Sequence, residues 1–165
     1  KMISISLRKR VKPKSDFTLR LVNYQRIDPK YKNLKYKKIL KLLEKLDTSK
    51  CDIALHKNKK ILETGTSNLL FFKGSKIYSP IKNFYEGTTY KYKFFQKKLR
   101  KIKKKNIYID SLKNYDEVVI IGSGKGVVSV NRIDKIDWKR KSIKNYRFLS
   151  KIYTKAIKNC PRYNG

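Results

Sequence analysis

Two short runs, Leu69-Leu70-Phe71-Phe72 and Val118-Val119-Ile120-Ile121, carry an apolar side chain at every position. Successive side chains of a strand point to opposite faces, so such runs suit strands buried on both sides, and cover is needed above and below. The rest of the chain offers that cover. Residues 1–10 alternate apolar and polar (Ile3, Ile5, Leu7), and residues 17–24 do so again (Phe17, Leu19, Leu21), which predicts two strands. Residues 12–15, with Pro13, read as a turn, and residues 25–32, with Pro29, as a connecting loop. Further strands are expected over 51–55, 76–78 after the Gly74 turn, and 127–130 beyond a glycine-rich turn.

Three segments have helical spacing. Residues 34–46 place Ile39, Leu40, Leu42, Leu43 and Leu46 on one face and lysines on the other. Residues 88–105 form a second candidate, with Thr88 or Thr89 as its N-cap. Residues 141–158 form a third, with Ile143, Tyr146, Leu149, Ile152, Tyr153 and Ala156 inward and Pro161 soon after its end. Strands and helices mix without a regular strand–helix–strand repeat. The expected class is α+β (mixed α/β), an irregular, barrel-like sheet flanked by helices.

Charge is the dominant compositional feature: 44 Lys and Arg face 12 Asp and Glu, a formal net charge of +32. That balance suits a polyanion partner, and non-specific nucleic-acid binding at low salt is expected. Lys far outnumbers Arg, Asn, Ile and Tyr are abundant, and only Ala54 and Ala156 are alanine, so codon bias is the competing explanation. The scarcity of acids is not explained by that bias. No apolar run is long enough to span a bilayer, and no signal-peptide pattern is present, so a soluble, cytoplasmic protein is expected. Cys51 and Cys160 form no metal-type pair, and His56, the one histidine, sits in a strand-like segment as an ordinary edge residue. Neither a metal site nor a structural disulfide is implied.

Four segments could carry chemistry: Lys35 at the head of the first helix, Glu63-Thr-Gly-Thr-Ser-Asn68, Gly87-Thr88-Thr89, and Gly122-Ser123-Gly124-Lys125-Gly126. The last is not a nucleotide phosphate loop of the Walker type. Val119 stands where the leading glycine belongs, and Gly126 follows the lysine in place of Ser or Thr. Its GxGxG spacing, late in the chain, also fails the dinucleotide fingerprint. A tight turn with backbone amides aimed at an anion remains. Gly87-Thr88-Thr89 lies where a loop enters a helix, so free N–H groups and two hydroxyls gather there.

The order of these segments resembles the class IV aminotransferases. Pro29, then Lys35 and an amphipathic helix, precede Glu63 and Asn68-Leu-Leu-Phe-Phe. Pro80, Gly87-Thr88-Thr89, Asp116-Glu117-Val118-Val119, Gly122-Ser123 and Gly126-Val127-Val128-Ser129-Val130 continue the likeness across nearly the whole chain. The resemblance implies pyridoxal 5'-phosphate (PLP) as cofactor and the large domain of the fold type IV PLP enzymes. It further implies a Schiff base on Lys35, Glu63 on the pyridine nitrogen, and Asn68 fixing the turn after Glu63. Thr88, Thr89 and Ser123 would hold the cofactor phosphate. Residues 25–165 would be that PLP-binding domain, and residues 1–24 the end of a smaller N-terminal one or connecting strands. A homodimer acting on a small amino-group substrate is implied too.

Leu40 replaces a tyrosine of the branched-chain members, which points instead to 4-amino-4-deoxychorismate lyase, then to D-amino-acid transaminase. Lys38 stands where those two commonly have Asn, and Tyr90 where an arginine usually follows the Gly-x-Thr turn. A basic, non-catalytic relative that binds RNA is the alternative expectation.

Overall fold

The computed structural model of the chain describes residues 13, 16–31, 35–91 and 102–159. The strand expected over 1–10 lies outside them. Ten strands form one sheet. They are β1 (Phe17–Asn23), β2 (Cys51–Lys57), β3 (Lys60–Thr64), β4 (Asn68–Lys73) and β5 (Lys76–Ser79), then β6 (Lys103–Lys104), β7 (Ile107–Tyr108), β8 (Glu117–Gly122), β9 (Gly126–Asp134) and β10 (Trp138–Lys139). Among the described residues three helices accompany them: α1 (Lys37–Leu43), α2 (Thr88–Lys91) and α3 (Lys144–Lys158), with a 3-10 helix at Ile109–Asn114.

The strand order is β6-β5-β4-β8-β9-β1-β2-β3-β7, with β10 also on β9. Two antiparallel hairpins, β2–β3 and β8–β9, are joined through β1, which runs parallel to both β2 and β9. The whole curls into a half-barrel. Period-two alternation decides its two faces. Phe17, Leu19, Ala54, Ile61, Leu69, Phe71, Val118, Ile120 and Val130 pack together inside the curl, drawing on strands from across the sheet. The intervening residues face outward to the helices: Leu70, Phe72, Val119 and Ile121 meet Leu149 and Ile152 of α3. Ile53 and Leu55 meet Ile39 and Leu43 of α1. The runs with no polar position are thus the strands covered on both faces, as expected.

Two helices are shorter than their spacing suggested. Residues 34–46 yield helix only over Lys37–Leu43, beyond which Asp47 accepts hydrogen bonds from Ser49 and turns the chain into β2. The helix expected over 88–105 spans Thr88–Lys91 among the described residues, and it does not reach 105. Lys103 and Lys104 instead pair in parallel with Tyr78 and Ser79 as a short edge strand. Lysine-rich, two-residue edges of this kind resist further strand addition.

Candidate active site

One end of the sheet collects the loops that follow β3, β5 and β8, together with the start of α1. They surround a cavity of about 580 Å³, its open mouth included, lined among others by Tyr36, Glu63, Thr66, Asn68, Thr88 and Ser123. Its shape depends on small residues. A Cβ on Gly65 would lie 3.1 Å from Ile53 and 3.2 Å from the Asp52 carboxylate, and one on Gly122 would lie 2.5 Å from the Ser67 hydroxyl. Only glycine lets β8 and the turn after β3 approach so closely. That turn is fixed by Thr64, whose Oγ1 accepts hydrogen bonds from the amides of Thr66 and Ser67.

Glu63 lies one residue before the end of β3 with its carboxylate at the cavity wall, and the residue is 5% exposed. Arg26 grips it with two donors, Nε to Oε1 at 2.6 Å and Nη2 to Oε2 at 3.2 Å, and the Tyr85 amide donates at 3.2 Å. Burial pushes the Glu63 carboxyl above its ordinary pKa, against the opposing pull of the Arg26 guanidinium and the Tyr85 amide. Asn68 follows on β4. Its Nδ2 donates to Tyr85 O at 2.6 Å and its Oδ1 accepts from the Gly87 amide at 3.0 Å. The side chain therefore ties the loop at 85–87 to the sheet, rather than bracing the turn after Glu63.

The hydroxyls lie beyond Asn68. Thr88 is exposed at the cavity, while Thr89 is buried and its Oγ1 comes within 3.3 Å of Ser123 Oγ, which joins α2 to the β8–β9 turn. Lys125, the lysine of the glycine-rich segment, is used for structure: its Nζ sits 2.6 Å from Asp52, a fully buried carboxylate on β2. Tyr90 turns away into the core and bonds Ser79 at 2.8 Å.

Lys35 stands apart from this group. Its side chain is 60% exposed and pairs with Asp28 at 3.4 Å, and it does not line the cavity, whereas the next residue, Tyr36, does. Glu63, Asn68, Thr88, Thr89 and Ser123 are therefore brought together, and Lys35 sits at their margin. Sequence reasoning passed over Arg26, Tyr36, Ser67 and Tyr85. For Arg26 no local signal existed: it is one of nine arginines, of which Arg20 and Arg132 are exposed, and its partner Glu63 lies 37 positions away. Among the described residues no cluster of acids, His or Cys could hold a metal ion.

The residues present suit a phosphorylated, ring-containing cofactor. A buried carboxylate, the hydroxyls of Thr66, Ser67, Thr88 and Ser123, and the glycines Gly65, Gly87 and Gly122 line the same cavity. The fold is that of known PLP enzymes. An aminotransferase from Brucella abortus bound to the cofactor PLP superposes with a TM-score of 0.73 at 18% identity, over 92% of this chain and 57% of that one. A branched-chain aminotransferase from Thermoproteus uzoniensis, solved with norvaline, gives 0.74 at 13% identity, over 90% and 54%. A Legionella pneumophila protein described as a 4-amino-4-deoxychorismate lyase gives 0.69 at 16%, over 87% and 57%. The chain thus spans little more than half the length of each. No curated protein matches it. The family model for amino-transferase class IV matches residues 4–133, and the chain belongs to that family.

Proposed function

We propose that this chain is the cofactor-binding part of a PLP-dependent enzyme that acts on a small amino-group substrate. The PLP-binding domain takes in β1 as well as residues 25–165, because β1 pairs with both β2 and β9 in the middle of the sheet, so residues 17–23 are not the end of a smaller domain. The observation that carries the reading is the buried Glu63 carboxylate, held by Arg26 at the wall of a cavity that Thr88 and Ser123 also line, with Thr89 hydrogen-bonded to Ser123. When bound, the cofactor supplies an electron-accepting ring and an aldehyde carbon. Glu63 would hold the proton at the ring nitrogen, Asn68 would keep the loop at 85–87 in register, and Thr88, Thr89 and Ser123 would donate to the phosphate.

Lys35 supplies the amine in this reading, and its Nζ moves the substrate's α-proton. Its pair with Asp28 is exposed on both sides, and such pairs contribute only about 0–1 kcal/mol. Among reactions, release of pyruvate from 4-amino-4-deoxychorismate is favoured, with D-amino-acid transamination second, because Leu40 stands where the branched-chain enzymes have tyrosine. A homodimer is expected from the family. Nucleic acid is bound only non-specifically.

The test is spectroscopic. Full-length protein mixed with PLP should develop an absorbance band in roughly the 410–430 nm range, and Lys35→Ala should abolish it. Lys32→Ala is measured beside it, since that lysine lies in the same segment. Loss of the band in Lys32→Ala alone would move the amine to position 32 and leave the cofactor assignment standing. No band in the unaltered protein, with RNA binding that survives moderate salt, would overturn the enzymatic reading in favour of the basic RNA-binding relative. Pyruvate release against amino-group transfer then separates lyase from transaminase.

A further inference from the structure

Arg26 is buried, yet no part of it lines the cavity. Its guanidinium is divided between two groups of acceptors. Nε and Nη2 serve both oxygens of Glu63. Nη2 also donates to Pro29 O at 2.8 Å, and Nη1 donates to Tyr31 O and to Tyr36 Oη, each at 3.3 Å. The guanidinium carbon also lies 5.4 Å from the centre of the Tyr36 ring. Pro29 and Tyr31 precede Lys35, and Tyr36 follows it. One side chain therefore connects β3, which carries the carboxylate, to the stretch from 29 to 36, which carries the lysine. A lysine at position 26 could not reproduce this, because a single ammonium lacks the planar fork.

We propose that Arg26 is a positioning residue that keeps Glu63 anionic and anchors Pro29, Tyr31 and Tyr36, which flank Lys35 in the chain, so that one guanidinium sets the placement of both the ring-nitrogen acceptor and the amine. The inference deepens the cofactor reading above and rests on it. The charge of Arg26 lowers the cost of burying an ionised Glu63, and its forked geometry leaves donors for the neighbouring backbone. Arg26 touches neither ring nor substrate in this account. It acts through Glu63 and through the segment.

The experiment uses two readouts on the protein without cofactor, so its failure is distinguishable from failure of the PLP assignment. The first follows the Glu63 carboxyl by carbon-13 NMR in glutamate-labelled protein, with Glu63→Gln identifying the signal. The second measures cleavage by a lysine-specific protease between residues 29 and 36, read by mass spectrometry. Arg26→Gln should move the Glu63 titration to higher pH and accelerate cleavage about tenfold, because several hydrogen bonds to the segment are lost together. Arg26→Lys should separate the two effects. It keeps the positive charge and so holds the titration near that of the unaltered protein, but cleavage stays fast. This variant also serves if Arg26→Gln does not fold. Unchanged titration and unchanged cleavage in both variants would overturn the proposal, as would Arg26→Lys restoring slow cleavage. If the PLP band is absent while both apo readouts behave as stated, the coupling stands and the cofactor reading falls.

Discussion

His56 shows how one side chain makes a pH prediction. It lies on β2, half-buried, and its Nδ1 is buried without a hydrogen-bond partner. Desolvation lowers its pKa from the ordinary value of 6.5, so below that value the unfolded chain takes up a proton that the folded chain still refuses. Stability is therefore complete above about pH 6.5 and falls as the pH drops toward the folded value. Urea midpoints measured between about pH 8 and pH 5 should decline toward acid, and His56→Gln should flatten the decline. An identical slope in the variant would exclude His56 as its source. At this scale the sequence named Glu63, Asn68, Thr88, Thr89 and Ser123, because each sits in a short pattern of turn glycines and donors. It did not name Arg26, whose partners are Pro29, Tyr31, Tyr36 and Glu63, the last 37 positions away. No local pattern encodes a pairing across that separation.

Among the elements, α3 depends on a residue outside itself. Its N-cap, Ile143, makes no capping bond; the Lys144 amide bonds the Ser142 hydroxyl, and the next two amides are satisfied from β8. Glu117, fully buried, accepts from the Asn145 amide, Asn145 Nδ2 and the Tyr146 amide, each at 2.9 Å. A carboxylate there also faces the positive end of the helix dipole. Glu117→Ala leaves those part-buried donors without their carboxylate, which should lower stability by about 1–3 kcal/mol in urea denaturation. A loss below half a kcal/mol would mean that water replaces the carboxylate. Most elements were readable from period-two or helical spacing, but β3 was not. It follows a two-residue turn, Asn58-Lys59, with both φ positive at 50° and 62°. The type I' geometry is a standard hairpin connection, yet lysine in its second place gives no turn signal. The strand at Lys103–Lys104 was misread as helix because two lysines have no face to reveal, and only the partner edge of β5 fixes their conformation.

At the scale of the molecule, a net charge of +32 on 165 residues repels itself in the compact state. Salt shortens the screening length from about 10 Å at 0.1 M to about 3 Å at 1 M, so the thermal midpoint should rise by several degrees between low and high sodium chloride. A midpoint that falls would mean that local ion pairs outweigh the general repulsion. Buried pairs such as Lys125 with Asp52 are screened little and should not reverse the trend. No helix among the described residues is long and apolar enough to cross a membrane, which does not bear on strands. The sequence by itself determined which segments are strands covered on both faces, because alternation along a strand is local and needs no partner to be read. It also set the order of the glycine-flanked turns that mark the family. Tertiary structure alone decided the strand order, with β1 parallel to two hairpins, and so which turns meet at one end of the curl. It alone also turned Lys125 toward Asp52, Tyr90 into the core and Arg26 onto Glu63, since such pairings form between residues distant in the chain and are chosen by burial.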